Sequence, residues 1–492
     1  MLKKIVIANR GEIAVRLIHA CKELGIKSVS LYSDVDSKAM HVQMADESYN
    51  IGPAPAVDSY LNIEKIIEIA LTTNADAIHP GYGFLAENSI FAQRCEKENI
   101  VFIGPSSAAM SLVGDKIRAR ETVARADVPL IPGMHEPVKN VSELRKYAEK
   151  LGYPVLLKAA AGGGGKGMRI IYETDDLSAK LDSAMREAKA AFGDDSVYLE
   201  KYVDEPRHIE IQILSDNFGN MIYLGERECS IQRRHQKIIE ESPSVAISDD
   251  IRKKMGETAL RVVKATNYTN AGTVEFLLDK NNFYFLEVNA RLQVEHPVTE
   301  MVTGIDLVKQ QIKIASNEKL TIKQSDVKSR GHAIECRIYA EDPEREFLPA
   351  TGIIRYLQEP KGPWIRNDTC LFEGLEVSIH YDPILAKLIV WGEDRIHAIE
   401  KLKKALDDYV IMGVKNQLPF LRDVVNSRAF REGATYTNFI DVHFSGWKPE
   451  QNLKNIAIAG AAIHDMIFKK EAVSPARKEK YNPWTQIGSW EL

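Results

Sequence analysis

Strand-like and helix-like segments alternate along the first hundred residues of the chain. Lys4–Ala8 and Ser28–Tyr32 have the length and composition of buried strands, and apolar residues recur at helical spacing between them. A second helical pattern runs from Ile63 to Leu71, and strand candidates follow at Ala77–His79 and Ile100–Ile103. This alternation predicts a doubly wound parallel sheet with helices on its faces.

The turn after the first strand bears on whether this sheet binds a dinucleotide. Residues 9–14 contain one glycine, Gly11, where the dinucleotide-binding fingerprint has three. NAD or FAD binding is therefore disfavoured, and we interpret Gly11 as part of a structural turn.

Charge and cysteine usage exclude several other classes of protein. The formal net charge is -5 and 27% of the residues are charged, so we expect no binding to nucleic acid or to a membrane surface. No segment approaches the ~20 consecutive apolar residues of a membrane helix, and the first ten residues lack the apolar run of a signal peptide. The five cysteines are scattered without a CxxC pair, which argues against a zinc site and predicts a cytoplasmic protein.

A run of glycines lies between two strand candidates. Residues 162–167 read Gly-Gly-Gly-Gly-Lys-Gly, between Val155–Lys158 and Met168–Ile171. Glycines let a backbone approach phosphate oxygens closely, but the Ser or Thr and the helix of a Walker loop are missing. The pattern predicts a hairpin flap that closes over a nucleotide, with Lys116 and Lys158 supplying positive charge. The alternative is a flexible surface loop with two solvated lysines.

Two acidic strand candidates form a predicted hairpin. The segments 273–279 and 283–289 flank a three-residue loop, and pairing Asp279 with Phe283 would place Glu275 opposite Glu287. Asn289 would share the face of Glu287. Like charges on facing positions are destabilising unless a cation lies between them, and these hard oxygen ligands suit Mg²⁺ or Mn²⁺. Because no basic residue interrupts the acidic face, we favour a metal site over a solvent-exposed polar face.

Basic and acidic side chains continue directly from this hairpin. Arg291, Gln293 and Glu295 are two residues apart, so in an extended chain they would share one face. A guanidinium can hold a planar oxyanion such as bicarbonate, and a nearby carboxylate can take its proton. The spacing does not distinguish bicarbonate from other small anions, and a surface ion pair between Arg291 and Glu295 is the alternative.

The segment Arg227–Lys237 is dense in charge. Without interleaved aromatic residues in an acidic protein, nucleic-acid binding is disfavoured. Anion binding in a cleft and a solvated loop remain as interpretations.

Eight motifs together resemble the biotin carboxylase family of the ATP-grasp superfamily. The resemblance covers residues 1 to about 446, and the segments at Cys229–Lys237 and Glu287–Glu300 are its most specific parts. The motifs are IANRGEIAVR, HPGYGFLAEN, IGPS, GDK, GGGGKGMR, ERECSIQRRHQK, EVNARLQVEHPVTE and HAIECRIYAEDP.

The resemblance implies a multidomain α/β and α+β fold. It consists of an N-terminal doubly wound domain (1–113), an ATP-grasp domain (114–330) and a C-terminal biotin carboxylase domain (331–446). A mobile lid at about 132–202 would carry the glycine flap. Residues 447–492 exceed this unit and are a candidate contact with a partner.

The resemblance also implies the roles of the site residues. Glu275, Glu287 and Asn289 would hold magnesium or manganese, and Glu295 would act as general base on bicarbonate. Arg337 would stabilise the biotin enolate that forms when biotin loses its ureido proton. The other implied ATP contacts are Lys116, Lys158, Gly164, Gly165, Glu200, Lys201, Tyr202, Val203, His208 and His235. The other implied bicarbonate contacts are Lys237, Arg291, Gln293 and Val294.

The implied reaction forms carboxyphosphate from ATP and bicarbonate, and then carboxylates biotin. Because the chain contains no Met-Lys-Met biotinylation segment, we expect biotin on a separate carrier protein, with a carboxyltransferase subunit that selects the acyl acceptor. The resemblance implies a homodimer. Two alternatives remain: another ATP-grasp ligase that activates a carboxylate, and a nucleotide-binding subunit that has lost catalysis.

Overall fold

The computed structural model describes residues 2–134, 136–138, 140–159, 168–234, 236–449 and 451–468. Two compact units are present, residues 1–446 and residues 447–492. Among the described residues, no helix combines the length and the apolar character needed to cross a membrane.

The N-terminal region is a five-stranded parallel sheet with the strand order β3-β2-β1-β4-β5, which confirms the predicted doubly wound arrangement. Gly11 begins α1 at a φ of +69°, a backbone conformation that favours glycine, so it is the structural turn that we expected. The strands are β1 (Lys4–Ile7), β2 (Lys27–Tyr32), β3 (Glu47–Asn50), β4 (Ala77–His79) and β5 (Val101–Phe102). The helices are α1 (Gly11–Glu23), α2 (Met40–Met44), α3 (Ile63–Thr72), α4 (Ser89–Lys97) and α5 (Ser107–Gly114).

A small antiparallel sheet, β7-β6-β8, lies in the predicted lid. Its apolar core is separate from the others and includes Leu144, Leu157 and Leu181. The pairing of β6 with β7 forms the expected hairpin, and its glycine-rich connection lies outside the described residues. The helix α6 (Lys116–Ala124) precedes the lid, whose elements are α7 (Val141–Leu151), β6 (Val155–Ala159), β7 (Arg169–Ile171), α8 (Leu177–Phe192) and β8 (Val197–Lys201).

An eight-stranded sheet carries most of the candidate site, with the strand order β13-β12-β9-β10-β11-β14-β21-β19. Its first elements are β9 (Arg207–Ser215), β10 (Met221–Arg233), β11 (Gln236–Ser242), α9 (Asp249–Ala265), β12 (Asn270–Asp279), β13 (Asn282–Asn289), α10 (His296–Thr303) and α11 (Leu307–Ala315).

The same sheet continues into the C-terminal region, because β11 pairs with β14. The predicted boundary near residue 330 therefore falls within one hydrogen-bonded layer, and the domain bounds stay a prediction. The remaining strands are β14 (His332–Tyr339), β15 (Glu341–Asp342), β16 (Leu348–Pro349), β17 (Gly352–Ile353), β18 (Tyr356–Gln358), β19 (Ile365–Thr369), β20 (Glu376–Val377), β21 (Ile384–Gly392) and β22 (Val410–Met412). The remaining helices are α12 (Arg395–Asp408), α13 (Leu418–Asn426), α14 (Arg428–Arg431), α15 (Phe439–His443) and, in the second unit, α16 (Gln451–Phe468).

The solvated-loop interpretation of the segment Arg227–Lys237 is wrong. Its first seven residues belong to β10, and the segment ends in β11. Arg227 is fully buried, and its side chain donates to Gln212, Thr273 and Thr299. The charges of Arg227 and Glu228 therefore lie in the interior of the protein, whereas Arg234, at the turn between the two strands, is exposed.

Candidate active site

The site is built around the ammonium group of Lys237, close to the start of β11. Its Nζ lies 2.6 Å from Glu210 Oε2, 2.9 Å from Glu275 Oε1 and 2.6 Å from Glu295 Oε1. Glu210 and Glu275 occupy facing positions on β9 and β12. Glu295 directly precedes α10. Three buried carboxylates from separate parts of the chain therefore share one partly buried cation.

This arrangement sets the charge state of the carboxylates. Burial alone would raise the pKa of Glu275, but Lys237 and then His208 bring it well below its ordinary value. Burial also opposes ionisation of Glu295, and Lys237, Arg337 and Arg227 hold its pKa well below normal. Both side chains are therefore carboxylates at neutral pH, as a cation site and a proton acceptor require.

The acidic hairpin has the predicted pairing but a different turn. Glu275 faces Glu287, whereas Asp279 pairs with Asn282 and not with Phe283. The loop is therefore two residues long, with Lys280 at a φ of +55°. A register shift next to Glu275 offsets the shorter turn, as an extra residue in a β-bulge does.

The acidic face is also less isolated than the sequence suggests. His208 Nε2 lies 3.0 Å from Glu275 Oε2, and Lys116 Nζ lies 3.4 Å from Glu287 Oε2. The expectation that no basic group neutralises this face was wrong, because the basic side chains come from segments outside the hairpin. The donor set still fits Mg²⁺ or Mn²⁺: two carboxylates face each other, and the Asn289 amide lies on the strand of Glu287.

Arg291 lies in an irregular segment after β13, not in an extended strand. Its guanidinium donates to Asn289 Oδ1 at 3.1 Å and to Gln293 Oε1 at 3.0 Å. Its carboxylate partner is Glu87, at 2.9 Å from Nε. Gln293 in turn donates to Glu275 at 3.2 Å. The alternative of an ion pair between Arg291 and Glu295 is therefore not observed among the described contacts, which instead join Arg291 to Glu87 and to the acidic hairpin.

Arg337 contacts the carboxylate oxygen of Glu295 that Lys237 does not contact. Its Nη2 donates to Glu295 Oε2 at 2.8 Å, so the two oxygens of Glu295 are divided between Arg337 and Lys237. The neighbouring Val294 carbonyl accepts from the buried Lys387 at 3.0 Å. Two cations thus fix the position of the Glu295 carboxylate, and Glu295 is fully buried.

A second group of charges lies at the lid. Lys158 Nζ is 3.0 Å from Glu200 Oε2, and Arg120 Nη1 is 2.6 Å from Glu200 Oε1. The Lys201 ammonium donates to the Gly152 carbonyl at 2.6 Å. Tyr202 and Val203 follow β8 and are half-buried. The predicted contacts Gly164, Gly165 and His235 lie outside the described residues.

Sequence reasoning assigned no role to Glu210, Glu87 and Arg120. Glu210 had a visible signal, because His208, Glu210 and Gln212 alternate along one strand and so share a face. Glu87 lies within the motif HPGYGFLAEN, but nothing in the sequence paired it with Arg291, and Arg120 had no signal, since each is far in sequence from its partner.

Three family models match the chain. They are "Biotin carboxylase, N-terminal domain" over residues 1–110, "Carbamoyl-phosphate synthase L chain, ATP binding domain" over 115–323, and "Biotin carboxylase C-terminal domain" over 335–442. Together they span most of the chain.

Two relatives are similar to this chain over longer alignments. Biotin carboxylase 1 of Bacillus subtilis is 50% identical over 445 residues, which covers 90% of this chain and 99% of that protein. The mitochondrial methylcrotonoyl-CoA carboxylase subunit alpha of Mus musculus is 46% identical over 490 residues, which covers 98% of this chain and 68% of that subunit.

A solved structure has the same architecture. The biotin carboxylase domain dimer of the Hydrogenobacter thermophilus 2-oxoglutarate carboxylase, in complex with MgADP, ADP and bicarbonate, superimposes with a TM-score of 0.87. It is 47% identical in sequence, and the match covers 92% of this chain and all of that chain.

Proposed function

The chain belongs to the biotin carboxylase family, and on this premise we propose that it uses MgATP and bicarbonate to carboxylate biotin on a separate carrier protein. The observation that carries this function is the position of Glu295 between Lys237 and Arg337, with Arg291 and the acidic hairpin beside it. This carboxylation would be the first half-reaction of an acyl-CoA or pyruvate carboxylase, and its product, carboxybiotin, would be the carboxyl donor in the second.

Bicarbonate would bind between Lys237, Arg291, Gln293 and Val294. A guanidinium and an ammonium group favour the doubly charged form of this anion, so they make its proton easier to remove. Glu295 would take that proton. Because Lys237 suppresses the basicity of Glu295, an ammonium that turns toward bicarbonate would make the carboxylate a stronger base at the moment of transfer.

ATP would lie between the lid and the eight-stranded sheet. Glu275, Glu287 and Asn289 would hold Mg²⁺ or Mn²⁺, which neutralises charge on the phosphate oxygens when bound. Lys158 would exchange Glu200 for a phosphate, while Arg120 keeps the Glu200 carboxylate paired. The remaining proposed nucleotide contacts are Lys116, Gly164, Gly165, Glu200, Lys201, Tyr202, Val203, His208 and His235.

Attack of bicarbonate on the γ-phosphate would give carboxyphosphate and ADP. Carboxyphosphate then breaks down to carbon dioxide and phosphate, and this phosphate would remove the ureido proton of biotin. Arg337 would stabilise the resulting biotin enolate, since positive charge placed where negative charge develops lowers the barrier. A lid closed over the site would protect carboxyphosphate from water.

The proposed partners are a biotin carboxyl carrier protein, a carboxyltransferase subunit and a second copy of this chain. The Hydrogenobacter thermophilus domain is a dimer, and the mouse relative is one subunit of a larger enzyme. All five cysteines are free thiols, in keeping with the proposed location in a reducing cytoplasm.

We propose that residues 447–492 contact a partner subunit. The described helix α16 exposes Ile456, Ile458, Ile463 and Met466, and a helix with large apolar side chains on several faces is normally buried. The similarity to the mouse alpha subunit includes almost the whole chain, whereas the Bacillus subtilis enzyme matches about nine-tenths of it.

The test of the function is ATP cleavage by the purified chain with MgATP, with and without bicarbonate and free biotin. We expect phosphate release to require bicarbonate and to increase with biotin. Release that ignores biotin but responds to an amine substrate would favour another ATP-grasp ligase. Tight nucleotide binding without turnover on a biotinylated carrier would favour a subunit that has lost catalysis.

A further inference from the structure

Arg337 has two carboxylate partners, and the proposed reaction removes the charge of one of them. Nη2 contacts Glu295 Oε2 at 2.8 Å, and Nε contacts Glu240 Oε1 at 2.5 Å. Glu295 becomes neutral when the O–H bond of bicarbonate breaks and its proton binds the carboxylate. Of its two carboxylate partners, only Glu240 is then still charged. This is the stage at which the Arg337 guanidinium must face biotin.

The sheet fixes Glu240 in this position. Glu240 lies on β11 opposite Glu335 of β14, and Arg337 is two residues further along β14. All three side chains therefore lie on the same face of the sheet. Glu240 is fully buried, and its other oxygen, Oε2, has no hydrogen-bond partner among the described residues. A buried carboxylate with so few partners is costly unless its contact with Arg337 compensates it.

We propose that Glu240 is a positioning residue for biotin carboxylation, and that it keeps the Arg337 guanidinium paired and oriented while Glu295 carries the proton of bicarbonate. This inference rests on the proposed function. Glu240 acts through Arg337 and has no direct contact with substrate in the proposal. Loss of its charge should therefore affect the step at biotin more than the formation of carboxyphosphate.

The surroundings of Glu240 make its charge dependent on pH near neutrality. Burial raises the pKa of Glu240 to about 7, and the negative charge of Glu295 adds to this rise, whereas Arg337 and Lys237 oppose it. The thiol of Cys229 and the carboxyl of Glu335 also face this group, and the Cys336 thiol, on the opposite face of β14, interacts with its charge. Since Glu295 raises the pKa of Glu240 only while it is charged, protonation of Glu295 favours an ionised Glu240. The two carboxyls are thus coupled through Arg337.

The experiment compares two reactions of the full chain: bicarbonate-dependent ATP cleavage without biotin, and the additional cleavage that free biotin causes. The ratio of the additional, biotin-dependent cleavage to the cleavage without biotin is not affected by changes in bicarbonate supply with pH. In the wild type we expect the ratio to fall as the pH decreases through about 7, because Glu240 becomes protonated. Glu240→Gln should lower the ratio about 10-fold at about pH 8 and remove its pH dependence, as for loss of a group that orients a functional side chain.

Glu335→Gln is the matched control. It makes the same change on the neighbouring strand, at a carboxyl whose pKa burial raises well above normal, so that it is already neutral. We expect the wild-type ratio and the wild-type pH dependence in this variant. An equal effect of Glu335→Gln and Glu240→Gln would contradict the proposal.

Two further outcomes would overturn it. One is a Glu240→Gln variant whose two reactions stay within about twofold of the wild type. The other needs no variant: a wild-type ratio that stays flat between about pH 6 and about pH 8 excludes a titrating partner of Arg337. A wild type without any response to biotin would instead refute the proposed function itself.

Discussion

Lys237 Nζ and Glu295 Oε1 lie 2.6 Å apart, and the same ammonium group contacts two other buried carboxylates. Lys237 therefore holds Glu295 ionised and at the same time makes it a weak base. The proposed chemistry requires this contact to loosen when bicarbonate binds. Ground-state charge compensation and catalytic basicity are thus controlled by one lysine.

Replacement of Glu295 tests the proposed general base. Glu295→Gln keeps the size of the side chain but cannot take a proton, so we expect turnover to fall about 100-fold or more while nucleotide affinity is retained. Steady-state ATP cleavage and nucleotide binding measure the two effects. Glu257→Gln, at an exposed position of α9, is the control. Full turnover in the Glu295 variant would remove the assigned role.

Replacement of Lys237 tests its structural role. Lys237→Met leaves Glu210, Glu275 and Glu295 without their shared cation, and we expect a loss of about 3–5 kcal/mol in the free energy of unfolding. Lys404→Met breaks only an exposed pair with Asp408 and should cost less than about 1 kcal/mol. Denaturant unfolding of both variants measures the difference. Equal stability of the two would show that the buried ammonium does not compensate the acidic cluster.

Replacement of Glu287 tests the metal site. Glu287→Gln keeps the hydrogen-bonding size but removes one charge of the proposed ligand set, so the Mg²⁺ concentration for half-maximal activity should rise about 10-fold or more. A titration with MgCl₂ at fixed ATP measures this shift. Glu136→Gln makes the same change on the lid outside the proposed ligand set. A matching shift in that control would point to a general effect of charge.

The pKa values of the thiols predict slow chemical modification. Burial raises the pKa of Cys21 and of Cys95 to about 12, and the pKa of Cys229 well above normal. These groups stay protonated until the pH approaches their pKa, and the thiolate is the reactive form. A chromogenic disulfide reagent at about pH 8 should therefore react slowly with the folded protein and rapidly after denaturation. Rapid reaction of all five cysteines in the folded state would contradict the buried arrangement.

Charged substitutions on α16 test the proposed partner contact. Ile456→Glu combined with Ile463→Glu should abolish co-purification with the carrier or carboxyltransferase subunit, because glutamate is costly to bury in an apolar interface. ATP cleavage with free biotin should stay within about twofold of the wild type. Substitution of Val442, an exposed apolar residue in the first unit, by glutamate is the control. Retained partner binding in the double variant would exclude α16 as the contact.

The sequence predicted features that depend on local periodicity. The strands of the N-terminal sheet and the facing positions of Glu275 and Glu287 follow from alternation along short segments. The predicted length of the loop between them was wrong, because Lys280 adopts a positive φ, which a lysine rarely does.

The convergence of charges on Lys237 could not be predicted in the same way. Glu210, Glu275 and Glu295 meet there because β9, β12 and the start of α10 are brought together by the sheet order and by the chain after β13. Sheet order depends on pairing between distant segments, which periodicity does not contain. The same reason explains why the partner of Arg291 is Glu87, about two hundred residues away.

The pairing of β11 with β14 determines how the molecule can be divided. A chain cut between the predicted central and C-terminal domains would expose the hydrogen-bonding edges of two long strands, and such edges promote aggregation. Expression of either half alone should give insoluble material. The two halves produced together should reassemble through the pairing of β11 with β14. The predicted central and C-terminal domains therefore fold as one unit.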